Sequence, residues 1–190
     1  MPLGAARFGL LGGVADLGKL ELIETVNITS STASVDFTSL GNYNVHFLTV
    51  NDCKLDVDGR YLIAVYSNNG GSSWLTGSSY QMAYQFGSGD GVFGESKSTV
   101  FPQIPYLTTD GQSTNETSSS YMYFYNLLDS SKYSFTTGHT IGMDTGGDVR
   151  FFFGSSVYPT AETHNAIQLK MSTGTGITKG NFSLYGIRYS

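Results

Sequence analysis

Apolar and polar residues alternate over most of this chain, and the clearest alternation begins at Tyr43, which shares one predicted strand face with Val45 and Phe47. After the strong turn signal Asp58-Gly59, residues 61–66 repeat the pattern. A period of two in β-branched and aromatic residues is typical of half-buried strands. These segments therefore predict two strands of a buried sheet joined by a hairpin turn.

The same period predicts further strands, and the last of them places Phe182 and Leu184 together on a core face. The glycine-rich run 87–94 is expected to be a turn, because no helix pattern follows it as a phosphate-binding loop would require. The polar run 108–120 is expected to be an exposed loop. The other predicted strands are 19–28, 80–86, 121–128, 132–137, a short buried strand 150–154, and 166–171.

Turn signals recur every 8 to 12 residues, about the spacing expected of a β-sandwich, and no segment has a convincing helical period. The sequence therefore predicts an all-β fold: an antiparallel, jelly-roll-like β-sandwich with an extended N-terminal arm. We expect residues 1–30 to contain the arm and first strand, and residues 31–190 to form the sandwich.

The predicted arm is rich in glycine yet apolar, with five glycines in its first 18 residues. Glycine destabilises helices, whereas the apolar residues favour contact with another surface. We expect the arm to pack on a neighbouring subunit through Leu3, Phe8, Leu10 and Leu11.

Composition narrows the function classes. Charged residues make up 13% of the chain, about half the usual share, and only 10 are Lys or Arg, with a net charge of −5. A nucleic-acid surface needs clustered positive charge, so none is expected. No apolar run approaches the roughly 18 residues of a membrane span, so no membrane insertion is expected. Cys53 is the single cysteine, which excludes an intrachain disulfide.

Candidate catalytic and metal-binding patterns are weak. Asp52, Asp56 and Asp58 precede a glycine but lack the closing Glu of a calcium loop, so a turn is favoured and a peripheral Ca²⁺ site stays open. No Gly-x-Ser-x-Gly elbow is present, and no two acids are marked as a glycosidase pair. We expect no enzyme activity, cofactor or metal, because the three histidines also lie far apart in the chain: His46, His139 and His164.

Tyrosine is the residue type that points towards binding. The chain has 13 tyrosines, and Tyr121, Tyr123 and Tyr125 occupy alternate positions of one predicted strand. Tyrosine combined with small polar residues makes versatile recognition surfaces, although tyrosine also edges β-sandwich cores. Both interpretations remain open, and these three residues are the candidate recognition site.

Four segments resemble small structural proteins of tailed bacteriophages, notably marine ones: MPLGAARFGLLGG, ASVDFTSLGNYNVHFLTV, YMYFYNLLDSSKYSFTT and GTGITKGNFSLYGIRYS. In that group a β-sandwich ends on a strand of the form Gly-x-Phe-x-Leu-Tyr-Gly-Ile. The matching positions here are Gly180, Phe182, Leu184, Tyr185, Gly186 and Ile187.

The resemblance implies a non-enzymatic virion component, located in the virion and bound to other virion proteins through its arm. A tail-fibre or receptor-contacting role, with a cell-surface glycan as ligand, is the first expectation, and a capsid decoration protein is the second. A carbohydrate-active jelly-roll enzyme is a third possibility. A homo-oligomer is expected, with a trimer favoured.

Overall fold

The computed structural model describes residues 19–109, 111–174 and 176–188, which form two antiparallel sheets. The predicted arm, with Leu3, Phe8, Leu10 and Leu11, lies outside these described residues. The strands are β1 (Lys19–Ile28), β2 (Ser34–Phe37), β3 (Val45–Leu55), β4 (Leu62–Ser67), β5 (Tyr80–Ser88), β6 (Phe93–Phe101), β7 (Ser118–Tyr125), β8 (Ser134–Met143), β9 (Val149–Tyr158), β10 (Ala166–Met171) and β11 (Ile177–Arg188). The all-β prediction is confirmed.

The strand order is that of a jelly roll with an extension. The large sheet has the order β1-β11-β3-β7-β8-β9-β5-β6, and the small sheet has the order β2-β10-β4. A bridge between Ala64 and Ile104 adds a further segment beside β4. Together, β1-β11-β3-β7 and β2-β10-β4 with the Ile104 segment supply the eight positions of a jelly roll. Strand β1 falls in the predicted segment 1–30, together with the arm. In the structure it is an edge strand of the large sheet, paired with β11.

Two antiparallel strand pairs inserted into this jelly roll form the other half of the large sheet. The pairs β5–β6 and β8–β9 lie side by side beyond β7. The glycine-rich run 87–94 spans the turn between β5 and β6, where Gly91 has a φ of +88°, so the predicted turn is confirmed. Strand β6 was not predicted from the sequence.

The core lies between the small sheet and the inner face of the large sheet. Phe182 and Leu184 on β11 are both fully buried there, as their alternation predicts. Alternate residues of β10, namely Ile167, Leu169 and Met171, also belong to this core. The largest buried side chains around them are Phe37, Leu48, Leu55, Leu62, Tyr66, Tyr80, Ile104, Leu107, Phe124 and Leu127.

The predicted hairpin at Asp58-Gly59 is wrong. Gly59 does adopt a turn conformation, with a φ of +74°. However, β3 pairs with β11 and β7, whereas β4 pairs with β10 in the other sheet. The turn therefore carries the chain from one sheet of the sandwich to the other, because a jelly roll separates strands that are consecutive in sequence.

The run 108–120 is also not an exposed loop over its whole length. Thr108, Thr109 and Gln112 are buried. The Leu62 N–H donates to Thr108 Oγ1 at 2.8 Å, and the Leu55 N–H donates to Gln112 Oε1 at 2.8 Å. These polar side chains are buried because they satisfy backbone donors at the ends of β4 and β3.

The short buried strand predicted at 150–154 is a longer and half-exposed one. Strand β9 continues to Tyr158, and Phe153 is 55% exposed. Only alternate residues of β9 face the core, because the outer face of the large sheet has no second layer among the described residues.

Candidate functional site

The outer face of the large sheet carries all three predicted recognition tyrosines. On β7, Met122 and Phe124 are buried in the core, while Tyr121, Tyr123 and Tyr125 point the other way. Alternation along one strand was sufficient to predict this arrangement. The three tyrosines thus share the outer face, where Tyr121 is exposed and the other two are half-buried, and their role in recognition stays a prediction.

Aromatic residues of the neighbouring strands extend this group across the sheet. Phe47 on β3 lies beside Tyr123, with ring centroids 4.7 Å apart, and beside Tyr185 on β11 at 6.2 Å. The rings of Tyr123 and Tyr125 are stacked at 6.3 Å. We call Phe47, Tyr121, Tyr123, Tyr125 and Tyr185 the tyrosine strip.

Beyond β7 the strand register aligns four cross-strand rows on the same face, each named after its residue on β9. Residues directly opposite each other in neighbouring strands share a face, so the pairings define each row. They are the Phe151 row (Phe93, Gly87, Phe151, Ile141), the Phe153 row (Glu95, Gln85, Phe153, His139, Tyr121), the Ser155 row (Lys97, Ala83, Ser155, Thr137, Tyr123) and the Val157 row (Gln81, Val157, Phe135, Tyr125).

The rows differ in height. In the Phe151 row, a Cβ at Gly87 would lie 2.6 Å from the ring of Phe151 and 2.7 Å from that of Phe93, so glycine leaves the space these rings occupy. The Ser155 row is low, because Ala83 and Ser155 have small side chains. A groove of about 670 Å³ follows it and is bordered by Phe135 and Val157.

This face is apolar, exposed and poor in charge. Phe93 is 74% exposed, Phe153 55% and Ile141 54%, and none of them belongs to the core. Among the members of the four rows the only carboxylate and ammonium groups are those of Glu95 and Lys97, two residues apart on edge strand β6. Their Nζ–Oε1 distance is 3.9 Å, and both side chains are largely exposed.

Three residues that the sequence did not mark as a group have the residue types of a hydrolytic triad. Ser134 Oγ lies 2.7 Å from His164 Nδ1, and His164 Nε2 lies 3.5 Å from Glu162 Oε1. Ser134 begins β8, whereas Glu162 and His164 lie 28 and 30 residues further along the chain, in the loop before β10, so no local motif marked them. Ser134 and His164 are both fully buried, and the imidazole stacks on Tyr66 at 4.7 Å.

Burial gives this constellation a structural role. A nucleophile must touch its substrate, and a hydroxyl without solvent exposure does not. Burial lowers the pKa of His164, although the nearby Glu162 carboxylate opposes the shift. The imidazole therefore packs as a neutral ring that hydrogen-bonds Ser134 inside the sandwich.

The other candidate groups from the sequence are dispersed. Asp52 forms an ion pair with Lys179, and Asp58 accepts a hydrogen bond from the Gln112 N–H at 2.8 Å. Buried His46 bonds to the Leu40 carbonyl oxygen through Nε2 at 2.8 Å, whereas His139 is exposed on the outer face. The described residues contain no cluster of three or more His, Cys, Asp or Glu side chains arranged to hold a metal.

Within the described ranges, no helix is both long and apolar enough to cross a membrane.

The outer face of the large sheet is the feature of this fold that points most clearly to binding. Comparison with protein-family models, with curated proteins and with solved structures finds no match to this chain.

Proposed function

We propose that this chain is a non-enzymatic structural protein of a virion, which works by offering the outer face of its large sheet as a binding surface. The observation that carries the proposal is the outer face itself, on which the tyrosine strip and the four rows bring exposed aromatic and aliphatic side chains together. The resemblance of four segments to phage structural proteins supplies the virion context.

The aromatic residues of this surface lie outside the hydrophobic core. The core between the sheets already buries Phe182, Leu184 and Phe124 completely. An aromatic residue left half in water contributes little to folding and favours aggregation, so a large exposed apolar patch marks a contact surface. The small share of charged residues, 13%, fits a protein that meets other molecules over much of its surface.

Two placements in a virion remain proposals. A tail-fibre position is favoured by the tyrosine strip, because tyrosine rings offer an apolar face for a sugar and a hydroxyl for its polar edge. A capsid decoration protein is the alternative, favoured by the Phe151 row, whose apolar members suit a protein neighbour. In both placements the predicted N-terminal arm anchors the chain.

Mass spectrometry of purified particles, with heads and tails separated, tests the proposal. We expect the chain in one fraction at a stoichiometry that does not change on repurification. A chain that is produced during infection but absent from washed particles contradicts the virion assignment. A glycan array with the Tyr123→Ser variant as control then separates the two placements, since specific glycan binding that requires Tyr123 supports the tail-fibre position.

A further inference from the structure

We propose that the outer face of the large sheet binds a second copy of this chain across a two-fold axis. The axis runs parallel to the four rows and passes between the Phe153 row and the Ser155 row. This inference rests on the proposed function only in assuming that the outer face is a binding surface. The molecule bound there is a second copy of this chain.

The relief of the face is self-complementary under this rotation. Rows on one face are about 6.6 Å apart, the rise of two strand residues. The rotation places the Phe153 row of each copy over the low Ser155 row of the other, so that Phe153 enters the groove beside Ser155. It also places the Phe151 row over the Val157 row. On β9, Phe153 therefore meets the small Ser155 of the other copy, while Phe151 and Ile141 meet its apolar Val157 and Phe135.

The few charges on the face match the same arrangement. The rotation stacks each strand on the same strand of the other copy, so Glu95 in the Phe153 row faces the partner's Lys97 in the Ser155 row. Two reciprocal ion pairs result. Each chain carries a net charge of −5, so two copies repel unless they meet through a surface free of excess negative charge.

The exposed apolar area is sufficient for a stable contact. Eight large apolar residues on this face are between 43% and 74% exposed: Leu20, Leu22, Phe93, Tyr121, Phe135, Ile141, Val149 and Phe153. At about 100 Å² each, half the area of a large side chain, they supply about 800 Å². That equals the roughly 800 Å² per partner of a standard interface and exceeds the roughly 300–600 Å² of the largest patch on a typical monomer.

The chemistry of the rows favours a protein over a saccharide on this half of the face. The Phe151 row offers no side-chain hydrogen-bonding group, since its members are Phe93, Gly87, Phe151 and Ile141. The hydroxyls of a bound sugar would lose water there without gaining partners, which is unfavourable. In the proposed dimer Phe151 and Ile141 face Val157 and Phe135 of the second copy, whose side chains have no such groups to lose.

The test is the mass of the full chain in solution, by light scattering during size-exclusion chromatography and by sedimentation. We expect twice the chain mass of 20.5 kDa. The decisive variant is Ser155→Phe, which fills the groove without touching the core. It adds apolar surface, yet we expect the dimer dissociation constant to rise by more than about tenfold. Val57→Phe, in the loop between β3 and β4, adds similar bulk away from the face and should leave the dimer unchanged.

A charge swap tests the register. Glu95→Lys and Lys97→Glu should each weaken the dimer, and the double swap should restore it, because the reciprocal pairs re-form. A monomer at about 100 μM, a trimer, or tighter association of Ser155→Phe would overturn the inference. So would a monomer that binds glycans through Tyr123. None of these outcomes bears on whether the chain is found in purified particles, so the virion proposal stands or falls separately.

Discussion

Truncation of Phe182 is the sharpest test of how the sandwich is held together. Phe182 lies on β11, between β1 and β3 in the large sheet, and its side chain has no solvent exposure. It stands opposite Val26 on β1 and Val50 on β3. Phe182→Ala therefore removes buried apolar contacts at the point where the first, third and last strands meet, and leaves a cavity.

The expected loss is large relative to the stability of a domain. Replacing a buried Phe by Ala costs about 3–5 kcal/mol, from lost transfer energy and the cavity together. A domain has roughly 5–15 kcal/mol in total. For a chain of this length each kcal/mol lowers the melting temperature by about 2–4 °C, so the variant should melt about 6–20 °C lower. Urea unfolding followed by far-UV circular dichroism measures the same loss independently.

The neighbouring Ser183 provides the matched control. Residue Ser183 is 5% exposed, and its hydroxyl, on the outer side of β11, bonds to Thr25 Oγ1 at 2.9 Å and donates to Asn181 Oδ1 at 3.2 Å. Ser183→Ala should cost about 1–3 kcal/mol, the net value of two hydrogen bonds, and less than Phe182→Ala. Equal losses for the two variants would mean that both faces of β11 are equally packed. A loss below about 1 kcal/mol for Phe182→Ala would refute the assignment of β11 to the centre of the core.

Strand positions could be predicted from the sequence wherever a strand separates a buried face from an exposed one. Strand β7 carries that signal in its own residues. Strand β6 does not, because its inward positions include Gly94, Ser96 and Ser98. It becomes a strand by pairing with β5 rather than through its own propensity, and a local pattern cannot report this.

Strand partners could not be predicted in the same way. The Asp58-Gly59 turn was recognisable because turn chemistry is local. The strands that pair with β3 and β4 are β7, β10 and β11, which lie more than 50 residues further along the chain, so no local pattern identifies them. Buried Gln112 illustrates the same point. A polar run predicts an exposed loop, and only the structure shows that the Gln112 side chain accepts a hydrogen bond from a buried backbone N–H group.

The outer face proposed here as a binding surface was predictable in part, for the same reason. The three tyrosines of β7 alternate within one strand, so their common face could be predicted from the sequence. The four rows instead depend on register between β6, β5, β9 and β8. Phe93 and Phe151 are 58 residues apart in the chain and meet only over Gly87. Ser134 and His164 were missed because they too meet only through the fold.

Three further predictions concern the arm, the thiol and the buried histidines. Deletion of residues 1–18 should leave a folded domain, by circular dichroism, that no longer incorporates into its assembly; incorporation at wild-type occupancy would contradict the anchoring role. Cys53 is buried, and burial raises the pKa of its thiol to about 12, so a thiol reagent should label it only after unfolding. His46 and His164 are buried, and in both the main effect is that burial lowers the pKa from its ordinary value of 6.5. The folded chain therefore binds fewer protons than the unfolded chain as the pH falls below 6.5, so stability that is complete above that pH is progressively lost below it. Urea unfolding at pH 7.5 and pH 5.5 measures this effect above the range where most carboxylates titrate. Equal unfolding free energies at the two pH values would contradict this prediction, because they would mean that burial does not lower the pKa of either imidazole in the folded chain.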